Sequence, residues 1–215
     1  MNVIAYHRIF AFGDSYVDNN RINKKSGFVD EDDRYKIWTE KIINFYKPRH
    51  YYNYGKSGSD SKYTYEKIKN FQLCNPYGFT DNDLLIVVLS NNPPSDIKNN
   101  LKYQKYIEDL SCSKIIFHNN YIEDYKSKST FPLSLENISL NEINEKSDEI
   151  RNRRYDKRVN HLSWCNHQIL FDCCIKFISG DKYFSYDEFK SKFIKLDEAF
   201  HSETYVSTKL SFIYD

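Results

Sequence analysis

The apolar residues of the chain fall into short runs typical of strands and longer stretches with helical spacing. Four short runs predict strands at 8–12, 50–54, 83–89 and 114–118. The run at 83–89 is continuous and rich in β-branched residues, as expected of a central parallel strand that is buried on both faces. Helical spacing predicts helices at 33–46, 60–73, 100–110 and 164–178. Strands that alternate with helices predict an α/β domain with a mostly parallel sheet and right-handed crossovers.

The remainder of the chain is less regular. Residues 121–157 are highly polar and hold a predicted helix around 139–154. Gly180 is the expected C-cap of the helix at 164–178. A capping box at Ser185 and Glu188 opens a predicted helix to about residue 196. A terminal strand is predicted at 204–214. We therefore expect a main domain at 1–180 and an extension at 181–215 that packs on it as a helix plus a strand, because the extension is rich in aromatic residues.

Composition narrows the class of protein. The 215 residues fit one domain with a substantial core, and the 19 Tyr and 15 Phe predict a core rich in rings. A formal net charge of +1 argues against a nucleic-acid partner. The longest apolar run, at 84–89, is too short for a transmembrane helix. The bias toward Asn, Lys and Tyr is what an AT-rich genome produces.

The cysteines and the amino terminus predict an intracellular protein without a metal. No secretory signal peptide is visible at the start of the chain. The five Cys are odd in number and contain no CxxC pair, so we expect free thiols in a reducing compartment. Cys165 and His167 lie close together but lack a second pair of ligands, so we predict no metal and no other cofactor.

In parallel sheets, functional groups collect at the carboxyl ends of the strands. This rule draws attention to the turns at 13–16, 55–59 and 90–94. Ser15 directly follows the first strand, where a serine can expose its hydroxyl near backbone N–H groups that stabilise an oxyanion. An N-cap serine is an equally good interpretation. A serine nucleophile needs a base, and His161, in the polar loop before the helix at 164–178, is the first candidate, although a loop histidine is usually an ordinary surface residue.

Four segments in this order resemble motifs of a known family. They read FGDSYVDNN at 12–20, NYGKSGS at 53–59, SNNP at 90–93 and VNHLS at 159–163. They are similar to the FGDSxxDxGN, NxGxSGxT, GxND and DxxH blocks of the SGNH/GDSL hydrolases. The resemblance covers roughly residues 8–178. It implies a flavodoxin-like SGNH fold, which is a three-layer α/β/α sandwich with a mostly parallel sheet.

The resemblance also implies an activity and its residues. The chain would be a serine esterase in which Ser15 is the nucleophile and His161 the base. The oxyanion hole would comprise the N–H groups of Ser15 and Gly58 and the side-chain amide of Asn92, with Asn91 as its rival. The substrate would be a small acyl ester, with an O-acetyl group on a carbohydrate as one candidate.

Several positions depart from the family pattern. Ser90 and Pro93 stand where GxND has Gly and Asp, and Arg158 stands at the acid position of DxxH. Asp156 is the candidate that would replace this acid and orient His161. His167 is a second candidate for the base. These departures motivate an alternative: a catalytically degenerate SGNH fold that binds a glycan or a partner. A structural component of a viral or phage particle is a further hypothesis, suggested by the base composition and the extension.

Overall fold

The structure is a computed structural model that describes residues 5–18, 37–90, 97–119, 123–135, 162 and 164–180. Its strands are β1 (Arg8–Gly13), β2 (His50–Gly55), β3 (Asp83–Leu89) and β4 (Ser113–His118). Its helices are α1 (Trp38–Tyr46), α2 (Ser61–Cys74), α3 (Ile97–Glu108) and α4 (Trp164–Ile178), with a 3₁₀ turn at Glu123–Tyr125. The four strands predicted from the sequence are therefore confirmed, and so are the helices predicted at 33–46, 60–73, 100–110 and 164–178, with differences at their ends. The elements predicted at 139–154, 185–196 and 204–214, and the whole extension at 181–215, lie outside the described residues.

The strands form one parallel sheet in the order β2-β1-β3-β4. The chain moves from β1 outward to β2, then returns past β1 to β3 and β4. The direction of winding therefore reverses between β1 and β3. In open parallel sheets, this switch point leaves a crevice outside the carboxyl ends of the two strands. The α/β class predicted from the sequence is thus correct, and the topology indicates where a site would lie.

Alternate residues of the central strands enter two hydrophobic clusters, one on each face of the sheet. Ile9 and Ala11 belong to a cluster that includes residues of α1 and α4. Phe10 and Phe12 belong to the other cluster, with residues of α2 and α3. Every residue of β3 is buried, as expected of a strand covered on both faces. Rings contribute much of this packing, including the contacts of Phe10 with Tyr52, Phe71 and Phe79.

Two helices differ by more than one residue at their ends from the sequence-based prediction. The first was expected from residue 33, but α1 begins at Trp38, because Ile37 has an extended backbone and its N–H donates to the Glu40 carboxylate at 3.0 Å. The third was expected at 100–110, but α3 spans Ile97–Glu108. After Glu108 the chain forms a tighter turn, in which the Leu110 N–H donates to the Ile107 carbonyl at 3.2 Å. Such local hydrogen bonds leave little trace in hydrophobic periodicity.

A buried ion pair joins the amino ends of β1 and β3. Arg8 Nε and Nη2 donate to the two carboxylate oxygens of Asp83 at 2.7 and 2.6 Å. Asp83 is fully buried, and its Oδ2 also accepts from the Thr80 N–H at 2.7 Å. Arg8 and Asp83 face each other in the β1–β3 ladder. The pair therefore supports the register that brings the carboxyl ends of these strands level.

Candidate active site

Ser15 lies in a tight turn that directly follows β1 at the switch point. The carbonyl of Asp14 accepts the N–H groups of Val17 and Asp18 at 3.2 and 3.1 Å, which closes the turn. The Asp14 side chain reinforces it, because Oδ1 accepts the Tyr16 N–H at 3.0 Å. This is the local bond by which Asp commonly stabilises turns. Ser15 itself is half-buried. The turn thus holds a serine at the carboxyl edge of the sheet.

The turn after β2 is bonded to the Ser15 turn. The Gly13 carbonyl accepts both the Lys56 N–H at 2.9 Å and the Ser59 hydroxyl at 3.1 Å. From the other side, the Asp18 carboxylate accepts the Ser57 N–H at 3.1 Å, and Asn53 Nδ2 donates to the Val17 carbonyl at 2.7 Å. These bonds involve both backbones, so the two turns form one unit.

Glycine is favoured at positions 55 and 58 for two different structural reasons. A Cβ on Gly55 would lie 2.7 Å from the Asp18 nitrogen and 2.8 Å from the Val17 carbonyl carbon. Gly55 therefore permits the close approach of the two turns. A Cβ on Gly58 would meet nothing within 4 Å, but its φ of 79° is one that glycine adopts readily. Gly58 is exposed, so its backbone lies at an open surface of the turn.

The end of β3 is tied to the same unit through Ser90. Its hydroxyl donates to the Ser59 carbonyl at 3.1 Å, and its own carbonyl accepts the Ser61 hydroxyl at 2.6 Å. Ser90 is buried. A glycine at this position could not make the hydroxyl bond. Ser90 therefore links β3 to the second turn.

Asp14 also reaches the end of β4, because its Oδ2 accepts from Asn119 Nδ2 at 2.9 Å. The Asp14 side chain is almost completely buried. Burial raises the pKa of this carboxyl above its usual value, and hydrogen bonds from the Tyr16 N–H and from the side chains of Asn119 and Ser90 oppose the shift. The sequence analysis did not single out Asn119. Its position directly after an apolar strand, in His118-Asn119-Asn120, was the available signal.

Two of the described histidines, His118 and His167, differ in their surroundings. His118 is fully buried, its ring stacks on Tyr125 with centroids 3.8 Å apart, and Nε2 lies 2.9 Å from Gln104 Oε1. Burial lowers the pKa of His118 to about 3, so it is a neutral core residue. His167 lies on α4, as expected, and its Nδ1 accepts the Trp38 N–H at 3.4 Å. Trp38 in turn donates its indole N–H to the Tyr16 carbonyl at 3.0 Å.

The structure therefore describes part of the predicted site. Ser15 and Gly58 lie in two turns that are bonded together at the carboxyl edge of the sheet. The other predicted residues are outside the described part of the chain: His161, Asp156, Asn92 and its rival Asn91. Within the described ranges, no three His, Cys, Asp or Glu side chains gather in a way that could hold a metal ion. No helix in those ranges has the length and apolar character needed to cross a membrane.

Comparison of the chain with protein-family models, with curated proteins and with solved structures gave no match. The resemblance to the SGNH/GDSL hydrolases therefore rests on the four motifs in the sequence.

Proposed function

We propose that this chain is a serine esterase of the SGNH type, with the three-layer sandwich of that family. The observation that carries the proposal is the Ser15 turn, which lies at the β1–β3 switch point and is bonded to the turn that contains Gly58. Ligand sites of parallel α/β sheets occur at such switch points. Bonds from β2, from α1 and from the end of β4 restrain the turn, and a reacting group benefits from being held in place before the substrate arrives.

The proposed reaction is a two-step acyl transfer. Ser15 Oγ attacks the carbonyl carbon of a small acyl ester while His161 accepts the hydroxyl proton. The N–H groups of Ser15 and Gly58 and the Asn92 amide stabilise the oxyanion. The alcohol leaves with the proton from His161, and water then hydrolyses the acyl-Ser15 ester. Asp156 orients His161 in place of the acid that Arg158 displaces. An O-acetylated carbohydrate is a candidate substrate.

A fluorophosphonate probe tests the proposal, because it forms a covalent bond only with an activated serine. We expect labelling at Ser15, located by peptide mass spectrometry, together with hydrolysis of p-nitrophenyl acetate. Ser15→Ala should abolish both without changing the circular dichroism spectrum. Ser111→Ala is the matched control, since Ser111 is exposed and lies before β4, at the opposite edge of the sheet. Labelling that persists in Ser15→Ala contradicts the assignment. A folded wild type that neither labels nor turns over favours the non-catalytic alternative.

A further inference from the structure

Asn119 is held firmly at the carboxyl end of β4. Its N–H donates to the Leu89 carbonyl at 3.1 Å, which extends the β3–β4 ladder by one residue. Its carbonyl accepts the hydroxyl of Ser134. Two segments of the chain therefore fix the backbone from which its side chain projects. Because its backbone is fixed, the Asn119 side-chain amide can hold a hydrogen-bond partner in a defined position.

The side chain of Asn119 connects this anchored backbone with the Ser15 turn. Its Nδ2 donates to Asp14 Oδ2, while Asp14 Oδ1 accepts the Tyr16 N–H. The Oδ1 atom of Asn119 is buried and has no hydrogen-bond partner among the described residues. Within that part of the chain, Asp14 is thus the group that orients the amide. The contact joins residues 105 positions apart.

We propose that Asn119 is a positioning residue for Ser15, which acts by holding the Asp14 carboxyl in the orientation that accepts the Tyr16 N–H and so reinforces the turn at 14–18. The inference rests on the proposed function, because it assigns Asn119 a role in the reactivity of Ser15. Asn119 does not touch the reacting atoms in this role. It determines where the turn holds the serine.

The physical reason is the burial of Asp14. A buried carboxylate is costly unless donors satisfy its oxygens. Tyr16 donates to Oδ1 and Asn119 donates to Oδ2, and the Ser90 side chain also stabilises the ionised carboxyl. Without the Asn119 donor, Oδ2 loses its amide partner, the carboxyl gains by rotating toward water, and the turn loses the side-chain bond to Tyr16. A small displacement of a nucleophile is enough to slow its reaction strongly.

The polar and charged groups at this edge of the sheet set the conditions of the test. From its own turn comes Asp18, whose carboxylate accepts the Ser57 N–H. From the second turn comes Lys56, whose ammonium lies 5.1 Å from the centre of the Tyr63 ring. The ends of β3 and β4 contribute Ser90, His118 and Asn119, and His118 stays neutral above about pH 3. In the described part of this edge, Asp14 is the buried carboxyl.

The experiment uses Asn119→Asp, which changes the amide to a carboxylate of the same shape. The two facing carboxyl groups should share a proton under the acidic condition of the test and repel each other when both ionise under the alkaline condition. We expect hydrogen-exchange protection of the Tyr16, Val17 and Asp18 amides to fall about tenfold or more between these conditions, relative to wild type. Fluorophosphonate labelling of Ser15 should slow over the same interval. Asn70→Asp, at an exposed position of α2, is the control and should change neither.

Adding Asp14→Asn to Asn119→Asp exchanges the amide and the carboxylate and restores one donor facing one acceptor. We expect this double variant to recover most of the protection and the labelling, which a general loss of stability would not do. The inference is overturned if the turn amides of Asn119→Asp keep wild-type protection at both pH values. It is also overturned if the double variant recovers neither the protection nor the labelling. A wild type whose Ser15 does not react refutes the proposed function and with it the role in reactivity. The protection data distinguish this outcome, because they report the Asp14–Asn119 contact without any activity.

Discussion

Asp83 carries the buried end of the ion pair at the amino edge of the sheet, and its removal should be among the more damaging single changes to the fold. Its carboxylate accepts four hydrogen bonds: two from Arg8, at 2.7 and 2.6 Å, and two from Thr80, at 2.7 and 3.1 Å. Asp83→Asn keeps the shape but replaces one acceptor oxygen with an NH₂ group. Whichever way the amide turns, a donor then faces a donor, and Arg8 loses its anion.

The expected loss of unfolding free energy in Asp83→Asn follows from the burial of the ion pair. Removing one partner of a buried ion pair costs about 3–5 kcal/mol. The Arg8 side chain is 19% exposed and keeps a bond to the Gly78 carbonyl at 2.9 Å, so part of its charge remains solvated. We therefore expect the lower end, about 3 kcal/mol. For a chain of this size, that corresponds to a fall in Tm of about 6–12 °C.

Urea denaturation followed by circular dichroism measures this change, with an unchanged m value as evidence of a common unfolded state. The control is Glu66→Gln. Glu66 and Lys62 form a pair on α2 with N and O atoms 4.0 Å apart and side chains 56% and 67% exposed. Removing such an exposed pair should cost about 0.5 kcal/mol or less. An Asp83→Asn variant within about 1 kcal/mol of wild type would refute the reasoning, as would a Glu66→Gln variant that is equally damaging.

Two further predictions concern the Ser15 turn. Gly55→Ala should lower the free energy of unfolding by about 1–3 kcal/mol and slow the labelling of Ser15, because its Cβ would lie 2.7 Å from the Asp18 nitrogen and push the two turns apart. Wild-type stability and labelling in that variant would show that the contact is unimportant. Burial raises the pKa of Asp14 above its usual value of 3.8, so the folded state favours the protonated carboxyl. The stability of wild type relative to Asp14→Asn should therefore fall as the pH rises from 3.8 through the raised pKa, and parallel urea midpoints across that range would contradict this.

Much of the secondary structure could be predicted from the sequence. The strand Asp83–Leu89 and the helix Trp164–Ile178 have the bounds that the apolar pattern predicts. Gly180, the expected C-cap, has a φ of 80°. These features depend on residues that are close together in the chain, and the two-residue and 3.6-residue periods record which face of an element is buried. The end of α1 was predictable for the same reason, since Pro48 disfavours a helical conformation in the residue before it.

The start of α1 was not predictable from periodicity. A bond between Ile37 and the Glu40 side chain determines where the helix begins. The spacing of apolar residues continues upstream of that point and does not record it. The positions of Ser15 and Gly58 in turns after β1 and β2 followed from the order of strands and helices. The bonds that join those two turns did not, because they depend on how closely the strands lie.

The sequence by itself determined the α/β class, the sequence of strands and helices, and the turns in which Ser15 and Gly58 lie. The tertiary structure decided which strands are neighbours, and so which turns meet at the β1–β3 switch point. It also decided the partners of the buried charges: Arg8 with Asp83, 75 positions apart, and Asp14 with Asn119. Periodicity reports only whether a residue faces the core. A buried polar group takes whichever partner the packing brings within about 3 Å, and that choice depends on the whole chain.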